Sequence, residues 1–176
     1  MSTQLFINAH IATGMPGSTA AETAAIQDIL VEDGKFISIA PNLKATLEAQ
    51  GKDMASVEVV DLGGKLVCPP FCDTHLHLDY VFTARKPGAV NESGTLFEGI
   101  QRWSETKADL TVDEIKERAK IGIAKEMRHG VQFIRSHADV TDPNLTSLKA
   151  LLELKEELKD TVTLQIVSFP QEGMYS

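Results

Sequence analysis

Short apolar runs separated by turn residues dominate the first 67 residues. Residues 28–32 and 35–39 flank Asp33-Gly34, a pair typical of a type I′ turn, so this segment predicts a β-hairpin. The same patterns predict strands at 5–7, 57–60 and 65–67, a turn at Gly63-Gly64, a loop around Gly14, Pro16, Gly17 and Ser18, and a short helix at 42–50. We therefore predict a β-rich N-terminal segment over residues 1–67, part of a small β-sandwich domain.

After Pro70 the pattern changes to strands that alternate with helices. Leu96, Ile100 and Trp103 recur at helical spacing and predict a helix over 95–107. Thr111-Val112-Asp113-Glu114 matches a capping box, and Gly130 is a typical C-terminal stop, so we predict a second helix over 112–129.

A third helix and three strands complete this part. The predicted strands are one that carries His75, one from Val131 through His137 and one over 163–169. The predicted helix has Asp142 as its N-cap and Pro143 at its first position. Its buried face is predicted to consist of Leu145, Leu148, Leu152 and Leu158. Strands alternating with helices are typical of a parallel sheet with right-handed crossovers. The expected fold class is therefore α/β, with about three βα units over residues 68–176.

Composition and charge exclude several classes of function. The net charge is −8, which disfavours binding to a phosphate backbone or an anionic membrane surface. No apolar run approaches the length of a membrane span, and the first residues do not resemble a secretory signal. Two cysteines without such a signal favour a reducing compartment. We therefore expect a cytoplasmic protein with neither nucleic acid nor membrane as a partner.

The segment around His75-Leu76-His77 carries the most specific chemistry. Residues at i and i+2 of a strand point to one face, so His75 and His77 can offer two imidazoles to one metal ion. Imidazole suits zinc, iron, copper and nickel. The alternative is a chance pair on an exposed strand. Asp73 and Asp79 share the parity of the histidines and could support the site, or could be solvated loop carboxylates.

Other candidates are weaker. Cys68 and Cys72 lack the usual Cys-x-x-Cys spacing of zinc sites, so we interpret them as small apolar residues. His137 ends a strand, where polar groups are often functional, and we expect it near the site in a supporting role rather than as a ligand. The amide of Gln171 suits the edge of a planar heterocycle, although Pro170 and Gly173 also allow an exposed turn.

In combination these residues resemble the bacterial cytosine deaminase branch of the metal-dependent amidohydrolase superfamily. The resemblance runs from about residue 60 onward. Its motifs are Pro69-Pro70-Phe71, His75-Leu76-His77-Leu78-Asp79, Ser93-Gly94-Thr95-Leu96-Phe97-Glu98-Gly99-Ile100, His137-Ala138-Asp139-Val140 and Phe169-Pro170-Gln171-Glu172-Gly173. His-x-His alone identifies only the superfamily, while the segments from Ser93 and from Phe169 narrow it to the cytosine deaminase group.

The resemblance implies the N-terminal part of a (β/α)8 TIM-type barrel with one divalent metal ion, Fe(II) or Zn(II), at its mouth. His75 and His77 would be metal ligands, Gln171 would hydrogen-bond the pyrimidine, and Leu96 would contact it through its backbone carbonyl. His137 and Asp79 would support the site. The implied reaction is attack of an activated water on the amino-bearing ring carbon of cytosine, giving uracil and ammonia, a step of pyrimidine salvage. The full-length protein would be a homo-oligomer.

The sequence departs from the family because it has no residues for the later strands. The remaining metal ligands and the catalytic acid and base are expected there, so no catalytic residue is assigned to this chain. A closed barrel takes about 250 residues, whereas this chain has 176. The hypothesis is therefore a truncated chain that is inactive alone and binds metal weakly. The alternatives are another hydrolase of the superfamily, acting on triazines or related cyclic amides or amines, and a non-catalytic fragment that complements a separate C-terminal half.

Overall fold

The Asp33-Gly34 turn joins two antiparallel strands, as the sequence predicted. Both turn residues have positive φ, 48° and 76°, which a type I′ turn requires. The strands are β2 (Ile26–Glu32) and β3 (Lys35–Ala40), with Glu32 opposite Lys35. The computed structural model describes residues 2–11 and 25–173, with the backbone only for Arg85, so the loop predicted around Gly14 lies outside the described residues.

β1 is the central strand of the first unit, Met1–Pro69. The remaining elements are β1 (Thr3–Ile11), the predicted helix α1 (Leu43–Ala49), a 3₁₀ turn at Met54–Ser56, β4 (Val57–Asp61) and β5 (Leu66–Val67). The sheet order is β3-β2-β1-β4, and β4 and β5 both pair with β1 in parallel. The core of this unit is formed by Leu5, Leu30, Leu43 and Val57.

The second unit, Pro70–Ser176, has the predicted parallel sheet. Its strands are β6 (Phe71–Leu76), β7 (Val131–Asp139) and β8 (Thr163–Phe169), in the order β6-β7-β8. Its helices are α2 (Leu96–Lys107), α3 (Val112–Arg128) and α4 (Thr146–Glu157), and a 3₁₀ turn covers Thr83–Arg85. Two helices lie between β6 and β7, and one lies between β7 and β8.

Threonine side chains begin two of these helices. The hydroxyl of Thr95 accepts the backbone N–H of Glu98, and that of Thr111 accepts the N–H of Glu114. These bonds satisfy donors that have no partner within the helix. Gly130 follows α3 with φ of 84°, a left-handed conformation that glycine adopts at little cost. The predicted boundaries of α2 and α3 are therefore confirmed to within one residue.

The start of α4 was predicted wrongly. The helix begins at Thr146, and Leu145 precedes it with φ of 52°, so Asp142 is not the N-cap and Pro143 is not in the helix. The carboxylate of Asp142 nevertheless accepts the backbone N–H groups of Asn144 and Thr146. It closes a turn that precedes the helix, because an aspartate can bond a backbone N–H two residues ahead of it.

The buried face of α4 differs only in part from the prediction, since Leu148 and Leu158 pack against the core as expected. Leu151 and Leu154 are fully buried with Ala150 and Ser147, whereas Leu145 and Leu152 are exposed. The helix begins three residues later than predicted, and its buried face follows from its packing on α3, β7 and β8. The core also contains Ile115 and Ile123 of α3, Ile134 of β7 and Leu164 of β8. Within residues 2–11 and 25–173, no helix combines the length and hydropathy that a bilayer crossing requires.

Candidate metal centre

His75 and His77 face each other at the carboxyl end of β6. Their Nε2 atoms are 3.2 Å apart. Asp73 holds the backbone here, since its Oδ1 accepts the N–H of His75 at 2.9 Å. The β6–β7 ladder shifts register between Asp73 and Leu76, and β6 ends before His77, so strand parity alone does not explain the pairing.

His137 of β7 completes a cluster of three imidazoles. Its ring centroid lies 4.3 Å from that of His75 and 5.5 Å from that of His77. One nitrogen of each ring lies within 4.8 Å of the others. The sequence placed His137 near the site in a supporting role, and the geometry puts it in the same position to coordinate as the other two. Among the residues that the structure describes, no other group of three potential ligands converges in this way.

The three rings fit a divalent metal ion. Nitrogens bound tetrahedrally to zinc at 2.0–2.1 Å lie roughly 3.3 Å apart, close to the 3.2 Å between His75 and His77. Among the described residues the Nδ1 atom of His137 is buried without a hydrogen-bond partner, which is uncommon unless an ion or water serves it. Burial, and next the neighbouring His75 and His137, lower the pKa of His77 to about 4. His77 is therefore neutral near pH 7, the form that coordinates a metal.

Aromatic side chains surround the cluster. Tyr80 stacks on His77 with centroids 4.7 Å apart and an interplanar angle of 25°. Phe169, the last residue of β8, meets His77 edge-on at 5.3 Å and His137 at 5.8 Å. Burial and the nearby aspartates raise the pKa of Tyr80 to about 12. These contacts restrict ring rotation and remove water from one side of the histidines.

Tyr80 also lines a cavity of about 230 Å³. Leu96 and Gln171, which were predicted to contact a substrate, both line it, together with Trp103. Trp103 packs on Tyr80 with centroids 4.7 Å apart. The side chain of Leu96 is 74% exposed. One aromatic ring, that of Tyr80, thus belongs both to the histidine cluster and to the cavity wall.

Asp79 is fully buried, so the alternative of a solvated loop carboxylate is wrong. Its carboxylate accepts the backbone N–H of Asp139 at 2.8 Å and that of Tyr80 at 3.1 Å. Burial raises the pKa of Asp79 to about 6, although the hydrogen bond from Asp139 opposes the shift. The backbone of Leu78 donates to the buried hydroxyl of Ser136. These bonds hold the segment after His77 against β7.

Sequence reasoning missed the polar cluster beside this segment. Asp139 Oδ2 accepts the indole N–H of Trp103 at 2.6 Å and the ammonium of Lys107 at 3.1 Å. Burial would raise the pKa of Asp139, but bonds from Thr141, Trp103 and Lys107 lower it. Asp139 lies in the quoted motif after His137, which was the one available signal. For Trp103 and Lys107 the helical pattern predicted only positions on a helix.

Cys68 and Cys72 are both free and exposed. Neither thiol joins the histidine cluster, which agrees with the rejection of a thiolate metal site. Cys72 lines a surface groove with Thr74 and Phe133.

Comparisons with known proteins agree with this geometry. The model of the amidohydrolase family matches residues 58–176. The chain is 30% identical over 159 residues to N-isopropylammelide isopropyl amidohydrolase of Pseudomonas sp. strain ADP, with 88% of this chain and 37% of that protein covered. It also resembles the solved 5-methylcytosine deaminase of Klebsiella pneumoniae liganded with 5-fluorocytosine, at 39% identity and a TM-score of 0.79 over 98% of this chain.

The chain spans 38% of the length of that solved deaminase. A pterin deaminase of Rhizobium rhizogenes is 28% identical to this chain over 152 residues. That match includes 84% of this chain and 32% of the pterin deaminase. The predicted fold class is confirmed, since the three βα units match the N-terminal part of the barrel in these proteins. Because the family match includes more than half of the chain and the histidine cluster within it, this protein belongs to the amidohydrolase family of metal-dependent hydrolases.

Proposed function

We propose that this chain forms the metal-binding and base-recognising part of a hydrolytic deaminase that converts cytosine to uracil and ammonia. The observation that carries the proposal is the shared position of Tyr80. Its ring stacks on His77 of the histidine cluster and also lines the cavity that contains Leu96 and Gln171. The similarity to a deaminase solved with 5-fluorocytosine supports a pyrimidine base as the substrate.

In this proposal His75 and His77 hold one divalent ion, Fe(II) or Zn(II), and His137 lies within reach of the same ion. Imidazole ligands suit both metals. When bound, such an ion lowers the pKa of a coordinated water enough for hydrolysis near neutral pH. The aromatic rings of Tyr80 and Phe169 keep the histidine rings in place.

Gln171 and Leu96 orient the base. The amide of Gln171 offers an acceptor and two donors in one plane, which matches the donor and acceptor pattern along one edge of cytosine. Leu96 also lines the cavity, and in this proposal its backbone carbonyl is a further acceptor for the base. A site that hydrogen-bonds a substrate in this way rejects analogues that lack the matching groups, because its own polar atoms would remain unpaired.

This chain matches 38% of the solved deaminase. In this proposal the acid and base catalysts lie on barrel strands in the remaining part. The first experiment follows ammonia release from cytosine with the purified chain, Fe(II) or Zn(II), and the part of the Klebsiella pneumoniae enzyme that this chain does not match. We expect no turnover by the chain alone, and turnover in the mixture that is lost in His75→Ala. A mixture that remains inactive although it forms a complex would contradict the proposal.

A triazine-type substrate is the second candidate. The amidohydrolase of Pseudomonas acts, by its name, on N-isopropylammelide and is 30% identical to this chain. The reconstituted complex should therefore be tested on cytosine and N-isopropylammelide at equal concentrations. Turnover of N-isopropylammelide alone would assign the site to triazine hydrolysis.

A further inference from the structure

Lys107, the last residue of α2, has an ammonium group with three partners. Its Nζ bonds Asp139 Oδ2 at 3.1 Å, Thr141 Oγ1 at 2.6 Å and Glu172 Oε1 at 2.5 Å. A lysine ammonium has three N–H donors, so every donor is used. The side chain is only 12% exposed. Burial would lower the pKa of Lys107, but the bonds to Glu172 and Asp139 raise it, so the group remains charged.

The three partners belong to segments that carry the candidate site. Asp139, the last residue of β7, lies two residues after His137, and Thr141 lies two residues beyond the strand. Glu172 lies next to Gln171 in the turn after β8, where the N–H of Gly173 bonds the carbonyl of Pro170. Within residues 2–11 and 25–173, this turn makes one side-chain hydrogen bond, which the ammonium of Lys107 donates to the carboxylate of Glu172.

We infer that Lys107 is a positioning residue that fixes Gln171 in the cavity by holding its neighbour Glu172 against the end of β7. The inference rests on the proposed function, in which Gln171 reads the base. Charge-assisted bonds of this kind are roughly twice as strong as neutral ones. The turn from 170 to 173 is short, so the Lys107–Glu172 bond also restricts the neighbouring Gln171.

The alternative is that Lys107 only stabilises the fold. Two variants separate these roles. Lys107→Met removes the ammonium, while Glu172→Gln removes the charge from the partly exposed side of the network and leaves the bonds to Asp139 and Thr141 intact. The matched control is Lys116→Met. Lys116 is 13% exposed and bridges Glu153 and Glu157 on α4, away from the cavity.

The first readout is the side-chain amide of Gln171 in the ligand-free chain, observed by ¹⁵N NMR relaxation. We expect the amide to be ordered in the unmodified chain and in Lys116→Met, and mobile in Lys107→Met and Glu172→Gln. An unchanged Gln171 amide in both network variants would overturn the inference, whatever the substrate is. If Lys107→Met does not fold, Glu172→Gln alone decides.

The second readout is cytosine affinity, followed by the quenching of Trp103, the one tryptophan of the chain and part of the cavity wall. Lys107→Met and Glu172→Gln should each weaken binding by about tenfold. In a Gln171→Ala background the same changes should have no further effect, since positioning acts through Gln171. Equal losses in both backgrounds would overturn the inference. A mobile Gln171 amide without any cytosine binding would reject the proposed substrate while supporting the positioning role.

Discussion

Three imidazole nitrogens meet where the carboxyl ends of β6 and β7 lie side by side. His75 and His77 come from one short segment, whereas His137 is 60 residues further along the chain than His77. Parallel strands bring their carboxyl ends to the same edge of a sheet, which is why residues so distant in sequence can share one ion. The metal-binding role of each histidine can be tested separately.

We predict that His75→Ala, His77→Ala and His137→Ala each weaken Co(II) or Zn(II) binding by about tenfold or more. The cause is the loss of one of three nitrogens that lie within 4.8 Å of one another. Isothermal titration and the visible spectrum of the Co(II) form would measure it. His129→Ala, at the exposed end of α3, is the control. If His137→Ala binds Co(II) and Zn(II) as tightly as the parent chain, His137 is not a ligand and has the supporting role that the sequence suggested.

The buried carboxylate of Asp79 permits a prediction about stability. Asp79→Ala should lower the free energy of unfolding by about 1–3 kcal/mol, because the buried N–H of Asp139 would lose its acceptor. Urea denaturation would measure the change, and Asp160→Ala, at an exposed turn, should have little effect. A loss no larger than that of the control would show that water can replace the carboxylate.

At the scale of single elements, side chains at helix starts decide where helices begin. α2 and α3 begin after threonines whose hydroxyls accept a backbone N–H, while α4 begins after Leu145, which lacks such a bond. The predictions succeeded for α2 and α3 and failed for α4. The carboxylate of Asp142 accepts the N–H of Thr146, but Asp142 lies four residues before Thr146 and is not the N-cap. Capping is local, but which of several turn residues performs it depends on the path of the chain.

The cap of α3 should be worth a measurable amount. Thr111→Ala should lower the free energy of unfolding by about 1 kcal/mol, since the N–H of Glu114 would lose its bond to the hydroxyl. Thermal unfolding followed by circular dichroism would detect this. Thr111→Ser keeps the hydroxyl and should retain most of the stability, so equal losses in both variants would point to packing of the methyl group instead.

The first turn of α2 also fixes the loop before it. Glu98 accepts the N–H groups of Ser93 and Glu92, and these bonds, led by those from Ser93, lower its pKa from 4.5 to about 2. Because the pKa is lowered on folding, the stabilisation is complete above pH 4.5 and is lost as pH falls toward 2.

We therefore expect the amide resonances of Glu92 and Ser93 to shift as pH falls through that range, as the carboxylate of Glu98 is protonated. In Glu98→Gln the shift should disappear, because no titrating group remains at that position. Glu105→Gln on the same helix is the control. Identical titration curves in the parent chain and Glu98→Gln would contradict the assignment.

At the scale of the whole molecule, the parallel sheet of the second unit has edges. Among the described strands, β6 and β8 each pair only with β7. An unpaired strand edge can bind another strand, and the exposed Phe71 and Phe133 add apolar surface on β6 and β7. The match to the solved deaminase includes 98% of this chain but only 38% of that protein.

We predict that the purified 176-residue chain self-associates as its concentration rises, and that the complementary part of the Klebsiella pneumoniae deaminase suppresses this. The physical reason is that added strands would pair the free edges. Sedimentation velocity with and without the added part would measure both effects. A chain that remains monomeric at all concentrations, or association that the added part does not change, would contradict the prediction.

Much of the fold and part of the site could be predicted from the sequence. The hairpin at Asp33-Gly34, the strand at 163–169 and the boundaries of α2 and α3 follow from contacts between near neighbours. The pairing of His75 with His77 was predicted from strand parity, although His77 lies just beyond the end of β6. The buried state of Asp79 and the buried face of α4 were not, because burial depends on what packs against a segment.

The sequence by itself determined the turn at Asp33-Gly34, the caps of α2 and α3 and the alternation of strand and helix, since each depends on residues a few positions apart. Only the tertiary structure brought His137 to the other histidines and placed Leu96 and Gln171 on one cavity. It also joined Lys107 to Glu172 across 65 positions. These contacts between residues distant in sequence require that the strands pair in one order and that α2 pack in one orientation. These outcomes depend on the free energy of the whole core, which short sequence patterns do not record.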